Sequence, residues 1–154
     1  MTPENLPCFC CSELTFKQCC QPILSGDRKP ANAEALMRSR FSAYATNNFQ
    51  YILQTYTLAE RKALSLSDIT DNAKQTQWLS LDVINHQTVG NTAQVEFKAL
   101  YKIAEHYYVM HELSDFNFED GNWLYRSGIM QKETGEFKPE RNAPCPCQSG
   151  KKYE

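Results

Sequence analysis

"TAQVEFKALYKI", residues 92–103, puts Val95, Phe97, Ala99, Tyr101 and Ile103 on one parity and Gln94, Glu96, Lys98 and Lys102 on the other. A period of two is that of a β-strand with one buried and one wetted face. The same alternation extends on both sides. "WLSLDVINHQTV" (78–89) alternates Leu79, Leu81 and Val83 with polar neighbours, and "YYVMHELSDFNF" (107–118) and "NWLYRSGIM" (122–130) complete four predicted strands. The links between them are "VGN", "AEH" and "EDGN". Links this short join antiparallel neighbours, so the strands form a meander.

Upstream the period is helical. "AEALMRSRFSAYA" (33–45) aligns Met37, Phe41 and Tyr44 on one stripe, with Asn32 available as N-cap. Asn47-Asn48 interrupts it and "FQYILQTYT" (49–57) resumes it with Ile52 and Tyr56, which predicts two helices meeting at the asparagine pair. "LAERKALSLSDITDNAKQ" (58–75) predicts one further short helix. Helices followed by a run of strands mean an α+β fold, with the helices packed on one face of a four-stranded antiparallel meander.

The 154 residues suffice for one compact domain with small appendages, and 42% hydrophobic with 22% charged residues is the composition of a folded soluble chain. A net charge of −2 argues against a broad nucleic-acid surface. No run has the apolar length of a membrane span, and "MTPENLPC" lacks the basic and apolar parts of a signal peptide, so a cytoplasmic protein is expected.

All seven cysteines sit in two terminal clusters: Cys8, Cys10, Cys11, Cys19 and Cys20 at one end, Cys145 and Cys147 at the other. An odd count in a cytosolic chain fits a disulfide framework poorly and turns the reading to metal ligation or redox chemistry. Zinc needs four thiolate or imidazole ligands in a tetrahedron. Cys8-x-Cys10 supplies two from one tight turn after Pro7, and Cys19-Cys20 returns the other two eight residues later. The competing reading, a few buried apolar cysteines, suits a polar thirteen-residue stretch badly. A full set of four protein ligands leaves no position for water, which makes the Zn2+ structural rather than catalytic.

"PCPCQSGKKY" (144–153) resembles the start of the SEC-C motif, Cys-x-Cys, eight residues, then Cys-Cys or Cys-His, and the N-terminal cluster matches that spacing throughout. "LMRSRFSAYA" (36–45), "WLSL" (78–81), "HELSDF" (111–116) and "NWLYRSG" (122–128) resemble the core of the YchJ-like (UPF0225) proteins. The resemblance implies SEC-C-type segments at 1–30 and 138–154 flanking an NTF2-like domain at 31–137. Cys11 and Gln148 stand where the motif usually has glycine, so strain in the turn is expected, and Cys11 adds a fifth thiol. The C-terminal motif is incomplete: its second pair would fall at 156 and 157, past Glu154. Cys145 and Cys147 are then a remnant, a half-site completed by a second chain in a homodimer, or a redox couple, with the remnant preferred.

An NTF2-like fold often leaves a cavity between helices and sheet. His111, Glu112, Tyr125 and Arg126 are the candidate cavity residues. His111 and Glu112 are neighbours on a strand and so face opposite ways, which undercuts a dyad. His86 and His106 read as surface residues. Arg38 and Arg40 diverge on their helix. A solvated place is the ordinary one for both, and the alternative is that one of them meets an acid such as Glu112 inside the domain.

No set of residues assembles a named reaction, and a non-enzyme is preferred. The preferred function is a zinc-binding adaptor that contacts a protein partner, for which the resemblance suggests export, chaperone or ribosome-associated work. Lys17, Lys151 and Lys152 would suit an acidic partner. The alternative is a small-molecule binder or enzyme using the cavity, which Phe97, Tyr101 and Trp123 would defeat by filling it. Nucleic acid is disfavoured, since only Phe9 and Phe16 offer stacking faces near the cysteines.

Overall fold

The computed structural model describes residues 6–73, 75–132 and 134–137. Helices α1 (Gln21–Leu24), α2 (Ala33–Ala45), α3 (Phe49–Gln54), α4 (Leu58–Lys62) and α5 (Leu66–Ala73) come before strands β1 (Thr76–Val89), β2 (Thr92–Ile103), β3 (His106–Glu119), β4 (Asn122–Met130) and β5 (Gly135–Phe137). The sheet runs β1-β2-β3-β4, every pairing antiparallel, and β5 adds to β3 beyond the end of β4. This is the α+β meander that the alternation predicts. The additional strand, β5, is three residues long, too short for a period of two to register.

The helix boundaries follow the capping residues. The Asn32 side chain accepts from Ala35 N at 2.8 Å and opens α2. Asn47 takes the left-handed conformation, φ 61°, that ends α2, and Asn48 caps α3 by accepting from Tyr51 N. The stretch expected as one helix over 58–75 folds as two. Ser65 and Asp68 form a reciprocal box, Ser65 N donating to Asp68 Oδ2 and Asp68 N to Ser65 Oγ, and this starts α5 afresh.

The sheet's inner face carries the alternation read from β2: Ala93, Val95, Phe97 and Ala99 are buried, and Leu36 and Phe41 of α2 share their core with Leu81 and Phe116. In β1 the regular alternation fails. The register shifts between Trp78 and Ser80, and again between Val83 and Asn85. One extra residue reverses the parity of everything before it. Trp78 therefore joins Leu81 on the inner face, its ring 5.7 Å from Phe41 and 5.6 Å from Tyr44. A third shift, in β4 opposite Asp115 and Phe116 of β3, leaves Arg126 unpaired and brings Tyr125 and Gly128 to the inner face together.

The N-terminal segment packs onto this body. A bridge between Pro7 and Thr15 closes a small hairpin, and Cys8, Cys10 and Cys20 join the same buried cluster as α2 and the sheet. Because α2 carries the central packing, its cap matters to the whole fold. Asn32→Ala is expected to lower stability by about 1 kcal/mol, read as a lower midpoint in urea unfolding followed by circular dichroism.

Candidate functional site

Local structure gathers the four N-terminal thiols. Cys8 N donates to Leu14 O at 2.9 Å and Phe16 N to Leu6 O at 2.8 Å, which folds the arm bearing Cys8 and Cys10 back on itself. The Thr15 side chain caps a 3-10 turn at Phe16–Gln18, and Cys20 begins α1, so Cys19 and Cys20 are delivered beside the first pair. The Sγ atoms of Cys8, Cys10, Cys19 and Cys20 all lie within 4.8 Å of one another. Cys10 to Cys19 is 3.6 Å and Cys19 to Cys20 is 3.9 Å. Four thiolates about 2.3 Å from a central ion form a tetrahedron with edges of roughly 3.8 Å, so the spacing fits a metal ion at the centre.

The surroundings suit thiolates. Ser12 Oγ donates to Cys19 Sγ at 3.1 Å, and Ser42 Oγ of α2 touches Cys8 Sγ at 3.6 Å. Hydrogen bonds from Cys10 and Cys20 push the Cys8 thiol far below its ordinary value, while hydrogen bonding with Cys10 and Cys8, together with burial, pushes Cys20 far above. An ion at the centre would let the four thiols bind it as thiolates. Arg38 Nη1 donates to Cys10 O at 2.8 Å and its Nε to Glu34 Oε2 at 3.0 Å, tying the knuckle to α2. Cys11 lies outside the four. It holds the glycine position of the turn at φ 62°, and its Sγ donates to Phe9 O. The second pair, Cys145 and Cys147, lies outside the described residues.

The other face of α2 borders a cavity of about 320 Å³ walled by Met37, Phe41, Tyr44, Trp78, Phe97 and Met110, with Arg40, Glu112 and Tyr125 at its polar end. Arg40 is 3% exposed and Glu112 6% exposed. The Arg40 guanidinium lies between two tyrosine rings, 4.6 Å from the centre of Tyr56 and 4.5 Å from that of Tyr125. Its Nη1 donates to Ile52 O at 3.0 Å and to Thr55 Oγ1 at 2.5 Å. The backbone of that segment is itself bonded to β4: Thr57 N donates to Tyr125 O at 2.9 Å and Tyr125 N to Thr55 O at 2.7 Å. Glu112 Oε2 accepts from Tyr125 Oη at 3.1 Å and from Ser114 Oγ. Burial first, then the Glu112 charge, pushes the Tyr125 phenol far above its ordinary value, and burial raises Tyr44 to about 12. Both phenols therefore act as neutral groups around neutral pH.

Of the four candidate cavity residues, the structure brings two to the cavity. Glu112 and Tyr125 line it. His111, next to Glu112 on β3, faces the outer surface and pairs with Glu96 Oε2 at 2.7 Å. Arg126 is the bulged residue of β4 and is exposed on the outer face beside Gln94 and Asp115. Both strand placements follow from parity. Arg40 corrects the expectation of a solvated arginine: it shares the helix stripe of Met37 and Tyr44, three residues after one and four before the other, and that spacing was its signal. Gly128 also escaped notice. A Cβ there would collide with the Glu112 carboxylate and the Tyr125 hydroxyl, so glycine is what lets that carboxylate lie against β4. Phe97 is part of the cavity wall, whereas Tyr101 stacks on Tyr108 and Trp123 packs with Phe118 elsewhere, so the three do not fill it.

Comparison with known proteins agrees with this fold. Residues 32–128 match the model of the YchJ middle NTF2-like domain, and 141–154 match the SEC-C motif. The chain belongs to the YchJ-like UPF0225 family. A UPF0225 protein of Photorhabdus laumondii is 38% identical, with 96% of this chain and 95% of the relative covered. One from Serratia proteamaculans is 36% identical over 99% and 96%. Among solved structures, a SEC-C motif containing protein from Rhodopseudomonas palustris superposes with a TM-score of 0.76 at 32% identity, covering 80% of this chain and 98% of that one. A SEC-C motif containing protein from Psychrobacter arcticus gives 0.68 at 29%, covering 97% and 89%. Residues 32–128 therefore have the NTF2-like fold, and among the described residues no helix is long and apolar enough to cross a membrane.

Two variants test the local geometry. Gly128→Ala forces Glu112 off Tyr125 and Ser114 and should lower stability by about 2 kcal/mol in urea unfolding, within the range of overpacked cores. Cys11→Gly relieves a left-handed non-glycine residue at the expense of chain entropy. It should raise stability by about 0.5–1 kcal/mol while leaving metal content unchanged.

Proposed function

We propose that this protein is a small-molecule-binding protein whose body is anchored by a structural zinc. The observation that supports it best is the cavity itself: mostly apolar walls around a buried arginine and a buried carboxylate, the pattern of a ligand pocket rather than of a solid core. Cys8, Cys10, Cys19 and Cys20 are the zinc ligands in this reading, because four soft thiolates without an open position suit a redox-silent ion held for structure. Thiols that must stay reduced belong to a reducing compartment, so the reading includes a cytoplasmic location.

A protein partner is the second reading. Leu6 and Leu14 stand 39% and 50% exposed on the hairpin that carries Cys8 and Cys10, a compact apolar contact for another chain. It ranks behind the cavity because single exposed leucines are common on any surface.

The first test is metal content of protein purified without added zinc. About one zinc per chain is expected from the N-terminal cluster, lost in the Cys19→Ser/Cys20→Ser double variant. With free zinc a thousandfold above its dissociation constant, chelation should remove about 4 kcal/mol of stability. Iron in place of zinc, or unchanged metal content in the double variant, would overturn the assignment.

A further inference from the structure

The charged end of the cavity is half used. Arg40 makes both of its hydrogen bonds through Nη1, and its Nε and Nη2 donate to none of the described residues. Glu112 accepts both of its bonds at Oε2, and Oε1 accepts none from them. These free atoms are not sealed in: they keep accessible surface, and both residues line the cavity. Tyr125 touches both groups, its ring centre 4.5 Å from the guanidinium carbon and its hydroxyl 3.1 Å from Glu112 Oε2. The two charges are thus no farther apart than one phenol and its contacts, yet no hydrogen bond or ion pair joins them. A buried donor edge and a buried acceptor, close but not in contact, are each short of a partner.

Charge decides what can join them. An anion would pair with Arg40 and face the Glu112 carboxylate. A cation would pair with Glu112 and face the guanidinium. Either one meets an attraction and a repulsion together and adds an uncompensated charge among apolar walls. A neutral head with an acceptor beside a donor serves both groups at once. An amide is such a head, and it leaves water at far lower cost than a zwitterion, which carries two full charges. Beyond the charged end the walls are Met37, Phe41, Trp78 and Phe97, which call for an apolar body behind that head.

Resting on the ligand-binding reading of this cavity, we propose that its ligand is an apolar molecule headed by an uncharged amide. The amide carbonyl accepts from the free N–H groups of Arg40, and the amide N–H donates to Glu112 Oε1.

The test uses the full chain with zinc and three probes of one shape: benzamide, which is neutral with donor and acceptor, benzoate, an anion with acceptors only, and benzamidinium, a cation with donors only. Toluene is the ring without the head. Binding is followed by NMR of the Met37 and Met110 methyls, with the Trp123 indole as a control outside the cavity. Benzamide should shift both methyls saturably and leave Trp123 in place, and the other three should bind at least tenfold more weakly. Glu112→Gln keeps the shape and removes the negative charge, so benzoate should gain about tenfold and match or pass benzamide, with the methyl spectrum reporting that the variant is folded. If benzoate, benzamidinium or toluene binds the unaltered protein as tightly as benzamide, or if Glu112→Gln leaves the order unchanged, the amide class is overturned and the cavity reading stands. If none of the four moves the methionine methyls, the ligand-binding reading falls as well.

Discussion

A guanidinium removed from water loses its hydration on every side, and the surroundings of Arg40 can be read as the replacement of that shell. Two tyrosine faces cover it, a backbone carbonyl and a threonine hydroxyl take Nη1, and a carboxylate on β3 offsets its charge within the same cavity. Each substitute makes a demand of its own. Thr55 and Tyr56 must follow α3 at once, Tyr125 must face inward from β4, and Glu112 needs a glycine across from it. The bulge at Arg126 meets two of these demands together, because it puts Tyr125 and Gly128 on one face. The segment 55–57, the register of β4 and the identity of residue 128 thus answer to one buried charge.

The same helix that buries Arg40 holds the knuckle. Arg38 grips the Cys10 carbonyl and Ser42 abuts Cys8, while Met37, Arg40, Phe41 and Tyr44 look toward the cavity. A hairpin of a dozen residues cannot bury enough apolar surface to fold alone. Here it borrows the α2 core on one side and a metal-sized thiol cluster on the other. The thiol cluster and the cavity wall thus meet on opposite sides of one helix, α2.

How much of this was legible depended on whether the determining signal was local. The strand β2, the cap at Asn32, the break at Asn47-Asn48 and the spacing of the four cysteines are local patterns, and the chain folds as they indicate. The bulges at Leu79 and Arg126 are not local: nothing in "WLSL" or "LYRSG" announces an extra residue, because it is the partner strand that leaves one unpaired. Trp78 and Gly128 were left unread for that reason. Arg40 is a different case. Its stripe position was visible, but a charged residue is placed on the surface by default, and only the tyrosines and Thr55 brought by later elements make burial tolerable. Parity showed that His111 and Glu112 could not both face the cavity, but not which of them does; the helices that cover one sheet face decide that.

The thiol cluster and the cavity also place opposite demands on stability. A pocket with an unfilled volume and a buried charge pair is expensive to keep open, since its walls forgo contacts that a packed core would make. The sheet meets part of that demand through long, fully paired strands: β2 is hydrogen-bonded along its whole length on both sides. The helical side has no such ladder. Helices α3, α4 and α5 run six, five and eight residues, too short to hold a wall by themselves. The thiol cluster stiffens that side by clamping α2, the one helix of useful length. A packed thiol cluster at the back of a helix whose front faces a cavity is then a brace on the wall that the short helices leave weak.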